Sequence, residues 1–159
     1  MKRPADEDET LQVLPMRPAD LDTVCSIAAV SFPVPWTRGT FLREIERKWA
    51  VTRVVRSGRE ARLCGFAAFW IVSDEIHLHN IAVRPDLRRR GYATALLRDM
   101  LQTARECSVK TVWLEVRNSN RAALGLYRSL GFEQAGVRAG YYADTLEDAV
   151  IMALHLPEQ

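Results

Sequence analysis

The stretch Asn80-Ile81-Ala82-Val83-Arg84-Pro85-Asp86-Leu87-Arg88-Arg89-Arg90-Gly91-Tyr92-Ala93-Thr94-Ala95-Leu96-Leu97 passes from an apolar strand through a basic loop into a helix. Ile76 to Val83 is rich in apolar and β-branched residues, and Pro85, which brings no N–H to a ladder, marks the end of that strand. Beyond Gly91, apolar residues recur at Ala93, Leu96, Leu97, Met100, Leu101 and Ala104, the one-sided spacing of an amphipathic helix. A helix start leaves N–H groups unpaired and carries the positive end of the macrodipole, so an anion seats there without a dedicated side chain. Gly91 lets the backbone come close to such an anion, while Arg88, Arg89 and Arg90 add planar cations suited to phosphate oxygens. The same residues also fit a solvated basic loop ahead of an ordinary helix.

Spacing excludes two nucleotide motifs. Gly91 is the loop's single glycine, so the G-x-G-x-x-G dinucleotide fingerprint is absent, even though Glu115 lies at about the right distance for a ribose-binding acid. A triphosphate loop of the G-x-x-x-x-G-K-[ST] kind is absent too.

A chain of 159 residues, 48% hydrophobic, suffices for one domain with a sizeable core and is too short for two. We expect a flexible acidic tail over 1–12 and a single domain over 13–159. The net charge of +2 is too small for a protein built to coat nucleic acid, and no direct nucleic-acid binding is expected. Cys25, Cys64 and Cys107 are well separated and form no C-x-x-C, which argues against a disulfide framework or zinc site and for a reducing compartment. The polar start lacks the apolar segment of a signal peptide, and no run is long enough for a membrane span. The expectation is a cytoplasmic protein away from membranes, monomeric or weakly dimeric.

Along the chain, Val13 to Met16 reads as a short strand, and Asp20 as the cap of a helix burying Leu21, Val24, Ile27 and Ala28. Phe32-Pro33-Val34-Pro35-Trp36 breaks that helix, and Thr37 caps a second one with Phe41, Leu42, Ile45 and Trp49 on its apolar side. Val51 to Arg56 and Leu63 to Val72 form a hairpin around Ser57-Gly58. After the helix that follows Gly91 come a strand at Thr111 to Val116, a helix near Arg121 to Leu130 closed by Gly131, and strands near Phe132 to Arg138 and Val150 to Leu156. The fold class is mixed α/β (α+β), a central sheet of six to seven strands flanked by about four helices. Ile76 to Val83 and Thr111 to Val116, joined through a helix, should run parallel.

Two side chains stand out as candidates for proton chemistry. Glu115 sits in Val-Trp-Leu-Glu-Val, a run suited to a sheet covered on both faces, where burial would raise a carboxyl's affinity for protons and make it a usable base. Alternatively, it lies half exposed at the strand end and pairs with Arg117 or another arginine. Tyr127 shares a helix face with Ala122, Ala123, Leu126 and Leu130, which fits either a core tyrosine or a proton donor to a departing anion. Asn118, Ser119 or Asn120 would cap that helix, inside which Gly125 costs about 1 kcal/mol relative to alanine. It either lets something approach closely or has no role. His77 and His79 share one side of a strand without acidic or cysteine partners at ligand spacing, so no metal is expected; His155 reads as structural.

These residues resemble a known family. Arg88-x-x-Gly91-x-Ala93 after Asn80-Ile81-Ala82-Val83 is similar to the acetyl-CoA loop of the GNAT superfamily of N-acetyltransferases. Leu114-Glu115-Val116-Arg117, Ser119-Asn120 and Ala123 to Phe132 resemble its second block, with Tyr141-Tyr142 and Glu147 to Met152 closing the chain. The resemblance, over roughly 13 to 156, is strongest to the RimI-type enzymes that acetylate the N-terminal alanine of a small-subunit ribosomal protein. It implies acetyl-CoA as cosubstrate, a protein N-terminus as partner, and direct acetyl transfer with Glu115 as base and Tyr127 as acid. It implies main-chain contacts from Ile81, Ala82 and Val83 to the pantetheine arm, a diphosphate held by Arg88, Arg89, Arg90, Gly91, Tyr92, Ala93 and Thr94, and a cofactor contact from Asn120. Three departures stand out: Val34 and Pro35 expand a Phe-Pro-Trp, Gly125 replaces an alanine, and Gly140 stands where an asparagine often precedes the tyrosine pair. The competing readings are a GNAT enzyme acting on a small amine or lysine side chain, and a non-catalytic module binding coenzyme A or RNA.

Overall fold

The strand Glu75–Val83, β4, lies at the middle of the sheet and is the one on which the two halves of the molecule meet. The structure is a computed structural model and describes residues 10–158. Most of the expected acidic tail, residues 1–9, lies outside the described residues.

On one side of β4 stand β3 (Arg62–Val72), β2 (Ala50–Ser57) and β1 (Gln12–Pro15), each antiparallel to its neighbour. On the other stand β5 (Thr111–Arg117), β7 (Glu147–His155) and β6 (Glu133–Tyr142), giving a seven-stranded sheet of order β1-β2-β3-β4-β5-β7-β6. The helices are α1 (Leu21–Ser31), α2 (Arg38–Glu46), α3 (Tyr92–Glu106) and α4 (Arg121–Ser129). The mixed α/β class and the parallel β4-α3-β5 unit are thus as the sequence predicts.

That parallel pair is short. It runs from Glu75↔Thr111 to Leu78↔Leu114 and stops, while β4 continues against β3 to Val83 and β5 continues against β7 to Arg117. The cause is local. Phe69 faces Leu78 and Ala68 faces Asn80, which leaves His79 as the extra residue of a bulge in β4. Bulges bend a strand and sharpen its twist. Here the bulge turns β4 away from β5 and opens a wedge between them.

Packing differs on the two sides of the wedge. Val54 and Phe66 face α1 and α2, which bring Leu21, Val24, Ile27 and Phe41, whereas the alternate residues Val55 and Ala67 cluster with Tyr92 and Leu96 of α3. Met100 and Leu101 of α3 and Leu124 of α4 cover Val112, Leu114, Val150 and Met152. The expectation of a sheet covered on both faces at Glu115 is corrected: α1 and α2 lie over β2, β3 and β4, and burial alternates along β5, leaving Trp113 and Glu115 on a half-open face.

Two further expectations are corrected. Asp20 precedes α1, but its carboxylate does not cap that helix. It is 3% exposed, accepts the Arg17 N–H at 2.8 Å and pairs with the Arg56 guanidinium, a stronger partner than a helix N–H. Thr37 does cap α2, accepting from Thr40 N–H at 3.2 Å. Trp49, however, lies beyond the helix end and stays exposed, with the Arg47 guanidinium 5.4 Å from its ring.

Candidate active site

The wedge between β4 and β5 opens into a cavity of about 540 Å³ whose walls include Glu115, Tyr127, Ile81, Asn120, Asn80 and His79. β5 carries Glu115 into it, and α4 carries Tyr127. Asn120 fixes the start of α4 by accepting the Ala123 N–H at 3.2 Å, and about two turns later the helix delivers Tyr127 beside Phe132, ring centroids 5.9 Å apart. Gly125 on the same helix meets nothing within 4 Å of where a Cβ would stand, so no close approach explains it.

Tyr127 is 6% exposed. Burial, with a smaller contribution from Tyr142, pushes its pKa up to about 12, so the phenol is protonated at every physiological pH. Glu115 is different. Its side chain is 29% exposed, Arg138 Nε approaches one carboxylate oxygen at 3.2 Å, and the Tyr141 hydroxyl donates to the carboxylate. The pairing with Arg117 that the sequence allowed is not made. Arg117 instead forks onto Asp144 with two bonds of 3.0 Å and stacks on Tyr142 at 4.0 Å.

The strand that feeds the loop offers main chain to the wedge. Ala82 and Val83 turn their side chains into the core and have no β5 partner on the wedge side. Gly91, at φ 86° and ψ 7°, caps α3 in the left-handed region that glycine enters without penalty, and the Ala95 N–H closes the first turn on Gly91 O at 3.0 Å. Arg88, Arg89 and Arg90 are exposed and, among the described residues, take no carboxylate partner. Ala93 and Thr94 follow in the first turn, half-buried, whereas the Tyr92 side chain is buried, so what Tyr92 offers a ligand comes from its main chain. The loop stands beyond the lining of the central cavity, along the direction in which β4 leads away from Glu115. The residue set can therefore hold an anion at one end of a groove and handle protons at the other.

Several cavity residues carried no role in the sequence reading. Asn80 is 7% exposed and its Oδ1 has no hydrogen-bond partner. A buried acceptor left unsatisfied costs about 1–3 kcal/mol, which a ligand N–H would recover. His79, the bulge residue, is exposed to the cavity with its ring 4.4 Å from that of Trp70; desolvation, then His77, lowers its pKa below the ordinary imidazole value. Phe32 and Trp36, from the loop that breaks α1, form the opposite wall with Tyr141 and Tyr142. Their signal in the sequence is the run of prolines and aromatics, which reads as a helix stop and as an expanded Phe-Pro-Trp of the family, without a role at the site. Gly140 has φ 61° and donates its N–H to Asp148 at 2.9 Å, a backbone conformation in which glycine and asparagine are both at home.

A seven-stranded mixed sheet split between β4 and β5, with a glycine-started helix at the split, is the fold of an acyl-group transferase. Residues 21–132 match the acetyltransferase (GNAT) family, and the chain belongs to that family. It is 40% identical over 137 residues, 85% of this chain and 90% of that one, to the ribosomal protein bS18-alanine N-acetyltransferase of Escherichia coli strain K12. The crystal structure of the ribosomal-protein-S18-alanine N-acetyltransferase from Escherichia coli superposes with a TM-score of 0.84 at 35% identity, covering 94% of this chain and 96% of that one. Arabidopsis thaliana NAA60, solved in complex with acetyl-CoA, shares the fold with a TM-score of 0.82 at 20% identity over 92% of this chain and 99% of that one.

Proposed function

We propose that this chain transfers the acetyl group of acetyl-CoA to the α-amine of a protein N-terminus, with the N-terminal alanine of ribosomal protein S18 as acceptor in the cytoplasm. One observation carries the reading: a carboxylate and a permanently protonated phenol line the same cavity, at the point where the sheet is split. Acetyl-CoA would supply a thioester carbonyl. The open edge of β4 at Ile81, Ala82 and Val83 fits an amide-bearing arm, and Gly91, the first turn of α3 and the three arginines fit a diphosphate. Asn120 keeps its amide at the cavity wall after capping α4.

Glu115 takes the proton of the acceptor amine, directly or through a water, while Arg138 and Tyr141 hold its carboxylate in place. Asn80 Oδ1 accepts a second N–H of that amine and so directs the lone pair. Tyr127 holds its proton toward the departing sulfur. An α-amine, with a pKa near 8, is about one-tenth deprotonated at pH 7, against about one part in 2,500 for lysine at 10.4, so a half-exposed carboxylate suffices for the former. The test is acetyl transfer, read as thiol release, to a peptide that begins with alanine and to the same peptide blocked at its terminus but carrying lysine. Transfer to the free terminus is expected. Transfer only to the blocked peptide, or to neither, overturns the reading.

A further inference from the structure

A separate cavity of about 260 Å³ lies where the turn between β2 and β3 meets the start of α3, and it shares no residue with the wedge cavity. Ser57, Gly58 and Arg59 line it from the turn, and Arg62, Arg90 and Tyr92 are among the remaining walls. Three guanidinium groups therefore border it against one carboxylate, that of Glu60. Arg62 holds Asp86 at 3.2 Å, with about half of each side chain exposed, whereas Arg59 and Arg90 take no carboxylate partner among the described residues. Ser57 is 7% exposed, and its Oγ has no hydrogen-bond partner. Leaving a buried hydroxyl unpaired is costly, and one that stands among free arginines belongs to a set of donors still short of its acceptor.

We propose that this cavity docks the chain's own acidic run, Asp6-Glu7-Asp8-Glu9, which there competes with the diphosphate of acetyl-CoA for Arg90. The docking stands independently, while the competition rests on the proposed function, which gives Arg90 to the diphosphate. β1 runs antiparallel to β2 with Gln12 opposite Arg56, so residues 11 and 10, one and two steps earlier, draw level with Ser57 and Gly58. The polypeptide thus enters the sheet at the turn that walls the cavity. The four acids precede Thr10 by one to four residues, a reach of at most roughly 14 Å at full extension. So short a tether holds them near the guanidinium groups at an effective concentration on the order of millimolar. Carboxylates accept from a hydroxyl and from arginine forks alike, which is the complement of what the cavity offers. Arg90 immediately precedes Gly91, so a carboxylate that engages it on the hairpin side withdraws one cation from the loop.

The test compares the full chain with a full-length variant neutralised in the run by Asp6→Asn, Glu7→Gln, Asp8→Asn and Glu9→Gln. Docking is read without cofactor, from amide chemical shifts. Those of Gly58, Arg59 and Gly91 should differ between the two chains at low salt, and those of Gly125 and Gly136, on α4 and β6 in the other half of the sheet, should not. The differences should fade in about 0.5 M sodium chloride and shrink on an Arg59→Gln background. Identical Gly58 and Arg59 amides in the two chains overturn the docking, as do differences that persist in salt or survive Arg59→Gln. Differences that grow with protein concentration overturn it too, by making another copy's run the occupant. Inorganic phosphate that shifts Gly58 equally in both chains would leave an open anion site and overturn it likewise. The competition is read as KM for acetyl-CoA, which should be about two- to fivefold lower in the neutralised chain at low salt, with kcat unchanged and the gap lost in high salt. Equal KM values at low salt overturn the competition. Shift differences in a chain that transfers no acetyl group leave the docking standing and sink the proposed function, and acetyl transfer with identical shifts does the reverse.

Discussion

Replacing Tyr127 by phenylalanine removes a single oxygen from the wall of the central cavity, and the pKa of about 12 sets what that oxygen can do. A thiol in water titrates near 8.5, so handing the phenolic proton to a fully formed thiolate is uphill by about 3.5 units, or about 5 kcal/mol. The hydroxyl must therefore act while the sulfur is leaving, as a hydrogen bond that strengthens with the developing charge. A bond to a charged group is worth about 1.5–3 kcal/mol, so Tyr127→Phe should lower kcat by roughly 10- to 150-fold. The value falls at the lower end of what a full general acid loses. The assay is thiol release from acetyl-CoA with an alanine-begun peptide at saturation, from pH 6 to 10.5. In the unsubstituted protein kcat should show no alkaline decline attributable to a phenol in that range. Undiminished kcat in the variant would refute the role. A decline near pH 10 that disappears in the variant would refute the burial argument instead.

Glu115→Gln should lower kcat at pH 7 by about 10²-fold or more and recover part of the loss as pH rises toward the amine's own pKa; full turnover across the range excludes the base assignment. Asp20→Ala leaves the Arg56 guanidinium without its buried partner and should reduce unfolding free energy by about 3 kcal/mol in denaturant titration, with kcat unchanged in the surviving fold. Gly91→Val forces a β-branched residue to φ 86° and should raise KM for acetyl-CoA at least tenfold while KM for the peptide holds; equal KM values would remove the loop from the cofactor site. His79 has a folded-state pKa below its unfolded value, so its contribution to stability is full above about pH 6.5 and is lost as the pH falls through the folded value. His79→Phe should accordingly flatten the acid side of the Tm–pH curve, and an unaltered slope contradicts the shift.

Most of the architecture was legible because it rests on short-range patterns. The apolar spacing from Ala93 to Ala104, the cap at Thr37 and the β4-α3-β5 crossover each follow from neighbouring residues. The loop at Arg88–Gly91 was legible for the same reason. What sequence could not give was anything decided between strands. The bulge at His79 depends on how β3 registers against β4, and the partner of Glu115 depends on where β6 folds back, which brings Arg138 rather than Arg117. Asn80 lay inside the quoted stretch, yet its unsatisfied oxygen is a property of what fails to surround it. Asp20 was misread because a salt bridge 36 positions away in sequence outcompetes a local cap.

The early end of the β4–β5 ladder also bears on how this protein can change over generations. Past Leu78 the strand presents amide and carbonyl groups toward the groove, while the side chains of Ala82 and Val83 answer only to the core. Recognition written in peptide groups is indifferent to which apolar residue carries it. The lineage is thus free to exchange one aliphatic for another along this edge, repacking the interior as it goes, while the row of peptide groups facing the gap stays the same.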